Sequence, residues 1–368
     1  MSKNIKILIA VGGTGGHVFP GCYLANHLKN EKYEIRLVTD KRGYKYSKKF
    51  NNLDISILPS SPLRLKNIFS LLFSLLIIFF SIIISFFFLV FNRPSIIFGM
   101  GGYSSFPICL AATVLKIKFV IYENNLIIGK ANKYLLPFAK KILVANKELE
   151  GIPNKYQNKT IEIGNIINEK IFKYFKKEDD KKNDSKKTLN ILVLGGSQAA
   201  KIFAETLPDI FKNCSKDGLS LKIYQHCLSN QNEKLKLFYK DNNLNCETFN
   251  FSDNLLNYFS KVDLAITRSG SSMISELANA NIPFISVPLP SSADNHQLKN
   301  ALFYKKNKFA FLIEEKDLKV ELPNLLKDIF KNYSILSEMK QHQRQFSDKN
   351  VYKNINQALI KKIIDEKN

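Results

Sequence analysis

Glycine-rich turns carry the residues best suited to chemistry in this chain. The first, at 12–17 (GGTGGH), follows an apolar run and precedes a helix-like run. Closely spaced glycines let backbone N–H groups approach phosphate oxygens, and the N-terminus of the following helix favours the anion. The turn is neither a G-x-G-x-x-G nor a Walker A motif. It predicts a phosphorylated ligand, with a tight packing turn as the alternative.

His17 closes this first turn, at the predicted start of the helix. An imidazole that faces the ligand would have a pKa suited to general-base catalysis. Taken alone, a single His is more often structural. Two similar turns begin at Gly99 (GMGGY) and Gly195 (GGSQ), each directly after a predicted strand.

The segment Arg268–Glu276 (RSGSSMISE) predicts a second anion site. Its serines follow an apolar run and begin a helix, so the N-terminus of that helix would suit a phosphate. Glu276 lies one turn further on, where a carboxylate would suit a vicinal diol. The alternative is helix capping by Ser, with a solvated Glu.

Short apolar runs alternate with helix-length stretches, which predicts right-handed crossovers and an α/β fold with parallel sheets. The charged segment 176–187 interrupts this alternation and is predicted to be a solvated loop or linker. Two similar halves result, with ligands expected at the carboxyl ends of the strands and in the cleft between the halves. The predicted strands are Ile5–Val11, Glu34–Thr39, Ile96–Phe98, Phe119–Tyr122 and Lys141–Ala145, then Leu189–Leu194, Leu221–Cys227, Glu247–Phe249, Leu264–Thr267, Pro283–Val287 and Phe309–Ile313.

The segment 67–92 contains no charged residue. As a helix it would be about 39 Å long, enough to span a bilayer. A spanning helix, however, would place the turns at Gly12 and Gly99 on opposite sides of a membrane, although both belong to one strand–helix alternation. Its serines fall on one helical stripe: Ser70, Ser74, Ser81 and Ser85.

We therefore favour a helix with one face on the sheet and the other in the membrane interface. A spanning helix and an ordinary buried helix are the alternatives. Flanking basic residues would attract anionic lipid; they are Arg64, Lys66 and Arg93, with Lys116, Lys118, Lys140 and Lys141 further along the chain.

Composition sets broader bounds. The length of 368 residues suits two domains, and an apolar fraction of 45% excludes wholesale disorder. The net charge of +22 is compatible with a polyanionic partner, but only six of the 54 basic residues are Arg, on which base-specific recognition depends. Compositional drift towards Lys explains much of this excess of positive charge, and no nucleic-acid partner is expected.

Five scattered cysteines predict neither disulfides nor a zinc site, and the N-terminus is unlike a signal peptide.

Five motifs, in the same order along nearly the whole chain, resemble the MurG family of bacterial glycosyltransferases: GGTGGHVFPG at 12–21, GMGGYSSFP at 99–107, ENN at 123–125, GGSQ at 195–198, and RSGSSMISE at 268–276 followed by DNHQ. That family transfers N-acetylglucosamine from UDP-N-acetylglucosamine to undecaprenyl-diphosphate-linked N-acetylmuramyl-pentapeptide (lipid I), which makes lipid II with inversion of the anomeric centre.

The resemblance implies a GT-B fold, in which two Rossmann-like parallel-sheet domains face a cleft. The N-terminal domain, 1–165, would bind the acceptor and the membrane, and a C-terminal helix at about 346–368 would pack back on it. The domain at 166–345 would bind the donor. The resemblance also implies a peripheral enzyme on the cytoplasmic side of the inner membrane.

The resemblance also implies site residues. His17 is the candidate base, with Glu123 as the second candidate. Glu276 would accept the ribose hydroxyls, and Ser252 would contact uracil through its backbone. The full set of substrate-binding candidates is Thr14, Gly15, Gly16, Asn125, Ser197, Ser252, Ser271, Ser272, Met273, Ile274, Ser275, Glu276 and Gln297.

Two departures from the family pattern bear on the donor site. Asn168 replaces a donor-binding Arg, and Ala199 replaces a glycine in the third turn. No Asp-x-Asp metal motif appears in the sequence, and the adjacent pair Asp179 and Asp180 lies in the charged loop. Activity without a bound divalent ion or cofactor is therefore expected. Helix N-termini and Arg268 would then stabilise the departing UDP. The alternatives are a glycolipid glycosyltransferase with another lipid acceptor and a non-catalytic membrane-surface scaffold.

Overall fold

A computed structural model describes residues 5–63, 67–174, 188–196, 199–250 and 255–359. The chain forms two compact units: Met1–Ile167 with Asp348–Asn368 is unit 1, and Asn168–Ser347 is unit 2. Each unit contains one parallel sheet, so the predicted α/β class with two Rossmann-like domains is confirmed.

Unit 1 has a seven-stranded sheet in the order β3-β2-β1-β4-β5-β6-β7. Its central strands are apolar on both faces because helices cover both sides. A 3-10 helix, Asn154–Lys159, precedes the last strand. The elements are β1 Lys6–Ala10, α1 Gly15–Asn30, β2 Glu34–Thr39, α2 Lys41–Ser47, β3 Asp54–Ile57, α3 Ile68–Phe91, β4 Ile96–Gly99, α4 Ser105–Val114, β5 Phe119–Glu123, α5 Lys130–Leu135, β6 Lys141–Val144 and β7 Thr160–Glu162.

Unit 2 has a six-stranded sheet in the order β10-β9-β8-β11-β12-β13. Apolar side chains from α7, α8 and α12 cover one face of this sheet. The elements are α6 Lys170–Tyr174, β8 Leu189–Leu194, α7 Lys201–Lys216, β9 Leu221–His226, α8 Ser229–Asp241, β10 Asn245–Phe249, α9 Leu256–Phe259, β11 Leu264–Thr267, α10 Ser271–Asn279, β12 Phe284–Ser286, α11 His296–Lys306, β13 Phe311–Leu312, α12 Leu318–Lys331 and α13 Ser334–Gln345, with 3-10 helices at Ala293–Asn295 and Glu315–Asp317.

All eleven predicted strands are present, and two further strands were missed. Both missed strands, β3 (DISI) and β7 (TIE), are short and lie at the two edges of the unit 1 sheet. An edge strand is only partly covered, so its sequence lacks the continuous apolar run that marks a central strand.

Helix α3 connects β3 to β4, and both strands belong to one sheet. A spanning helix would separate them, so that alternative is wrong. The predicted serine stripe faces the protein: Ser74, Ser81 and Ser85 are buried. The outer face is apolar and exposed, which also contradicts an ordinary buried helix; its side chains are Ile68, Phe69, Leu72, Phe73, Leu75, Leu76, Phe79, Phe80, Ile84, Phe87, Val90 and Phe91.

The end of the chain returns to unit 1 as α14, Val351–Leu359. The Asp348 carboxylate accepts a hydrogen bond of 2.8 Å from the backbone N–H of Asn165. The Tyr352 hydroxyl donates to the Ile167 carbonyl at 2.6 Å, and its ring lies 4.5 Å from that of His27. These contacts join the C-terminal segment to the residues that follow β7 and to α1.

Several residues singled out from the sequence lie outside the described residues. They are Ser197 and Ser252 of the donor set, the basic residues Arg64 and Lys66, and the charged loop 176–187.

Candidate active site

The carboxyl ends of β1, β4 and β5 form one edge of unit 1, because these three strands are neighbours in a parallel sheet. We call this the unit 1 edge. The first glycine turn follows β1, the second follows β4, and Glu123 ends β5. Parallel pairing thus brings together residues more than a hundred positions apart in sequence, as expected for a ligand site in this kind of fold.

His17 lies in the first turn of α1, against the second glycine turn. Its Nδ1 lies 3.1 Å from the carbonyl oxygen of Met100. A carbonyl only accepts, so the neutral imidazole carries its proton on Nδ1 and its lone pair on Nε2. Gly101 and Gly102 have φ of +82° and +75°, and a Cβ at Gly102 would lie 3.1 Å from the ring. The second glycine turn therefore leaves room for the imidazole.

The start of α1 is built by the first turn. Thr14 is the N-cap residue, and its carbonyl accepts from the backbone N–H groups of His17 and Val18. Gly15 is buried, whereas Gly16 is exposed. The Asn124 side chain donates to the Gly16 carbonyl at 3.3 Å, which ties the end of β5 to the start of α1.

Glu123 is 2% exposed, and its carboxylate accepts four hydrogen bonds. One oxygen accepts from the backbone N–H and the side-chain amide of Asn125. The other accepts from the backbone N–H of Gly129, at 2.9 Å, and from Asn132 Nδ2, at 3.0 Å. The carboxylate is therefore engaged in holding Asn125 and the start of α5. This geometry corrects the expectation that Glu123 is the second candidate base.

Asp40 and Tyr103 are residues of this edge that the sequence reasoning missed. Asp40 Oδ1 accepts from the backbone N–H groups of Gly13 and Gly43, at 3.1 and 2.7 Å. Its Oδ2 accepts from the Tyr103 hydroxyl at 2.8 Å. Burial, and then this hydrogen bond, raises the pKa of Tyr103 to about 12, so the phenol stays protonated. The only signal in sequence was the position of Asp40 directly after a strand.

The unit 2 edge is formed by the carboxyl ends of β8, β11 and β12, which are also neighbours. Helix α10 begins there at Ser271, after its N-cap residue Gly270. The positive end of the helix dipole therefore lies at this edge. Ser271 is buried, and Ser272 is half-buried.

Three of the α10 candidates turn their side chains into the protein. Ile274 belongs to the apolar core of unit 2, and Met273 packs against that core. Ser275 is fully buried, and its hydroxyl donates to the Ser272 carbonyl at 3.0 Å. These side chains therefore pack within unit 2, and any contact of these three residues with a ligand would be made by the backbone.

Glu276 is 8% exposed, and burial raises the pKa of its carboxyl group to about 8. The backbone N–H of Asn168 donates to this carboxyl group, which lowers the pKa by a smaller amount. Asn168 thus contributes its backbone, while its side chain accepts from the backbone N–H of Lys170 at 3.0 Å. A buried carboxyl group with so few donors is suited to accept hydrogen bonds from a ligand.

Arg268 is engaged within unit 2. Its guanidinium donates to the carbonyls of Val287 and Pro288 at 3.3 and 3.2 Å, and pairs with the Glu315 carboxylate. It also lies over the Phe203 ring, 4.9 Å from the centroid. The structure therefore contradicts the expected role of Arg268 in stabilising the departing diphosphate.

Gln297 lies in the first turn of α11, and its side-chain oxygen accepts from the backbone N–H of Leu289 at 3.0 Å. A sugar hydroxyl would thus meet its amide nitrogen.

Ala199 has φ of +43°, the left-handed region that favours glycine. Within the described part of the chain, no three His, Cys, Asp or Glu side chains cluster as metal ligands would.

Comparisons with known proteins agree with this geometry. Residues 7–144 match the glycosyltransferase family 28 N-terminal domain, and residues 190–358 match the family 28 C-terminal domain. A relative from Pelagibacter ubique, named UDP-N-acetylglucosamine–N-acetylmuramyl-(pentapeptide) pyrophosphoryl-undecaprenol N-acetylglucosamine transferase, is 35% identical over 97% of this chain and 98% of its own length. A protein of the same name from Rickettsia bellii is 33% identical over 90% of this chain and 92% of its own length.

Solved structures agree as well. The crystal structure of Acinetobacter baumannii MurG superimposes with a TM-score of 0.73 at 25% identity, and covers 95% of this chain and 98% of its own. An S. aureus MnaA–UDP structure, at 14% identity and a TM-score of 0.68, covers 96% of each chain and shares the fold. The chain therefore belongs to glycosyltransferase family 28, among the MurG N-acetylglucosaminyltransferases that its motifs resemble.

Proposed function

We propose that this enzyme transfers N-acetylglucosamine from UDP-N-acetylglucosamine to the muramyl 4-hydroxyl of undecaprenyl-diphospho-N-acetylmuramyl-pentapeptide. This is the step from lipid I to lipid II in peptidoglycan synthesis. The printed names of the relatives describe this donor and acceptor, and the family match covers both units. Unit 1 takes the acceptor, and unit 2 takes the donor.

The observation that carries the proposal is the hydrogen bond between His17 and the Met100 carbonyl, at 3.1 Å. It fixes the tautomer in which Nε2 can take a proton. In the reaction, His17 Nε2 accepts the proton of the acceptor hydroxyl, and the oxygen of that hydroxyl attacks the anomeric carbon. The bond from that carbon to the UDP oxygen breaks, and the configuration inverts. Thr14 and Gly16 position the reacting groups at the start of α1.

The donor residues divide by the part of the nucleotide sugar that they would contact. Glu276 accepts the ribose hydroxyls, and the start of α10, at Ser271 and Ser272, stabilises the diphosphate. Asn125, held by Glu123, and the Gln297 amide bind sugar hydroxyls. The roles that the resemblance implies for Ser197 and Ser252 stay part of this proposal.

The decisive test is incubation with radiolabelled UDP-N-acetylglucosamine and either lipid I or diacylglycerol in detergent micelles. Radioactive product with lipid I alone supports the proposal. Product with diacylglycerol alone would identify a glycolipid glycosyltransferase, and turnover with neither would favour the scaffold alternative.

His17→Ala tests the base. We expect kcat to fall by about 10² to 10⁴, the usual effect of a general base, with UDP affinity unchanged. His342→Ala, which removes an imidazole from α13 of unit 2, serves as the matched control. Near-normal turnover of His17→Ala would refute the base assignment.

We further propose that α3 lies in the inner-membrane interface on the cytoplasmic side. Its exposed apolar face is 24 residues long, which at 1.5 Å per residue is about 36 Å. Leu76→Ser with Phe80→Ser should weaken sedimentation with lipid vesicles but preserve turnover of a water-soluble acceptor analogue. Unchanged sedimentation of this variant would contradict the interfacial role, whereas equal loss of sedimentation and turnover would indicate misfolding.

A further inference from the structure

A basic face of helix α2 lies beside the first glycine turn of unit 1. Helix α2 (Lys41–Ser47) follows β2 and contains no acidic residue. Lys41, Arg42 and Lys45 are exposed, and so is Lys48, the C-cap residue of this helix. At about 100° per residue, these four side chains fall within an arc of about 120° on the helix surface. We call them the α2 basic face.

The opposite face of α2 anchors the helix on α1. Gly43 and Ser47 are buried. The half-buried Tyr46 packs edge-on against the ring of Phe19 in α1, with a distance of 5.9 Å between the ring centroids. The ring of Phe50, which follows α2, lies 6.5 Å from that of Phe19. The helix is therefore fixed on the protein, and the basic face points away from the core.

The start of α2 is in contact with the first glycine turn, which carries the candidate base. A Cβ at Gly43 would lie 3.0 Å from the Cα of Gly12. Since consecutive Cα atoms are about 3.8 Å apart, the Cα of Arg42 lies within about 8 Å of this turn. Burial and Asp40 raise the pKa of Tyr103 at the same edge, and the charge of Arg42 lowers it by a smaller amount. The basic face therefore begins at the unit 1 edge.

The α2 basic face has no carboxylate partner among the described residues of the chain. The adjacent acidic residue, Asp40, is 4% exposed and is engaged by three donors. Lys201 and Lys236, by contrast, pair with acidic side chains of their own helices. Like charges one turn apart, as at Lys41 and Lys45, repel one another, and an anionic ligand relieves that repulsion.

The acceptor proposed above carries a peptide, the stem peptide, of matching charge and length. A peptide joined through its amino end to a muramyl group has no ammonium terminus and ends in a carboxylate. The muramyl hydroxyl must lie at the unit 1 edge to meet the base, and α2 extends about 10 Å from that edge. Five residues of extended peptide span about 17 Å. The stem peptide is therefore long enough to follow the basic face from end to end.

We propose that the α2 basic face binds the carboxylates of the stem peptide. This inference rests on the proposed function, because it concerns one part of the proposed acceptor. Arg42, whose guanidinium is able to bind a carboxylate through two parallel hydrogen bonds, meets the peptide near the sugar. Lys45 and Lys48 meet its far end. The face thus confers specificity for an anionic peptide and does not act in the transfer step.

The test compares full-length wild type with Arg42→Gln/Lys45→Gln. Two short-chain, water-soluble lipid I analogues serve as acceptors. One has free peptide carboxylates, and the other has the same peptide with every carboxylate replaced by a carboxamide. The control is Lys234→Gln/Lys240→Gln, which removes two charges from exposed positions of α8 in unit 2. The KM of each acceptor and kcat are measured at saturating UDP-N-acetylglucosamine, and thermal unfolding shows that each variant is folded.

We expect the KM of the carboxylate acceptor to rise about tenfold in the α2 variant, since each exposed ion pair contributes up to about fivefold. The kcat should be unchanged. The KM of the carboxamide acceptor should be the same in the wild type and in the α2 variant, because this acceptor offers no carboxylate to the basic face. The control should behave as the wild type does with both acceptors.

Two outcomes would overturn the proposal alone. One is an unchanged KM of the carboxylate acceptor in the α2 variant. The other is an equal rise of KM with both acceptors, which would show that these charges act on the acceptor diphosphate rather than on the peptide. Absence of turnover by the wild type with either acceptor would instead refute the proposed function, and this inference with it.

Discussion

Glu123 at the unit 1 edge and Glu276 at the unit 2 edge are both buried carboxyl groups, yet they differ in their donors. Glu123 accepts four hydrogen bonds from its own unit. For Glu276, the described residues supply one backbone donor, Asn168, and burial raises its pKa to about 8. Burial penalises both charges, but only the first carboxylate is compensated within the protein.

The difference shows how each edge is organised. At the unit 1 edge, Asp40 joins the turns that follow β1 and β4, and Glu123 holds Asn125 and the start of α5. The groups around the base are thus held before any ligand arrives. At the unit 2 edge, Glu276 has acceptor capacity that ribose hydroxyls would use. Unit 1 is thus preorganised for catalysis, and unit 2 has a carboxyl group prepared for recognition.

The largest expected effect comes from Glu123→Gln. The new amide group would face the N–H of Gly129 and the Asn132 amide, so buried donors would lose their acceptor. We expect the free energy of unfolding to fall by about 3 to 4 kcal/mol, as measured by urea denaturation. Glu162→Gln on the edge strand β7 of the same sheet changes an exposed pair with Lys147, and should cost less than about 0.5 kcal/mol. Similar values for the two variants would refute the anchoring role.

A smaller effect is the pH dependence that Glu276 causes. A carboxyl group whose folded pKa is raised stabilises the fold fully below its unfolded pKa of 4.5, and this stability is lost as pH rises through about 8. His226 acts in the opposite direction, because burial lowers its pKa to about 4. Its contribution to the free energy of unfolding rises with pH from about 4 to its unfolded pKa of 6.5 and is constant above that. Between pH 6.5 and 8, unit 2 should lose about 2 kcal/mol.

Hydrogen exchange of the α10 amides, followed from pH 6.5 to 8 with correction for intrinsic exchange, measures this loss. Glu276→Gln should abolish it, whereas Glu205→Gln, which changes an exposed carboxylate of α7, should preserve it. A slope that persists in Glu276→Gln would show that another group is responsible.

Glu276→Gln also tests recognition. At a pH above 8, where the Glu276 carboxyl group is ionised, loss of this charged acceptor for two hydroxyls should weaken UDP binding about tenfold, measured by calorimetric titration. In the wild type, affinity should rise as pH rises towards 8, because ionisation improves the acceptor. Unchanged affinity in the variant would remove Glu276 from the nucleotide site.

The smallest expected effect concerns Ala199. Its φ of +43° strains an L-residue, and glycine would relieve that strain. We expect Ala199→Gly to stabilise unit 2 by about 1 kcal/mol or less, since greater freedom in the unfolded chain offsets part of the gain. Ala204→Gly, in the helical part of α7, should destabilise by a similar amount. Destabilisation by both would contradict strain at Ala199.

Much of the fold was predictable from local pattern. Apolar runs between helix-length stretches located eleven strands, and glycine turns after strands located both edges, because βα alternation is a short-range property. The serine spacing of α3 indicated which face meets the protein. The edge strands β3 and β7 were not predicted from the sequence, because half-covered strands lack a distinctive apolar run.

By itself, the sequence determined the α/β class, the family, and the type and approximate place of the chemical groups, because motifs and periodicity are local. Only the tertiary structure decided what those groups do. The roles of Asp40 and Tyr103 depend on a contact across 63 positions, and Arg268 is occupied by partners from later elements. Glu123 and Glu276 are the same residue type, and their difference arises from how many donors the folded chain brings to each buried carboxyl group.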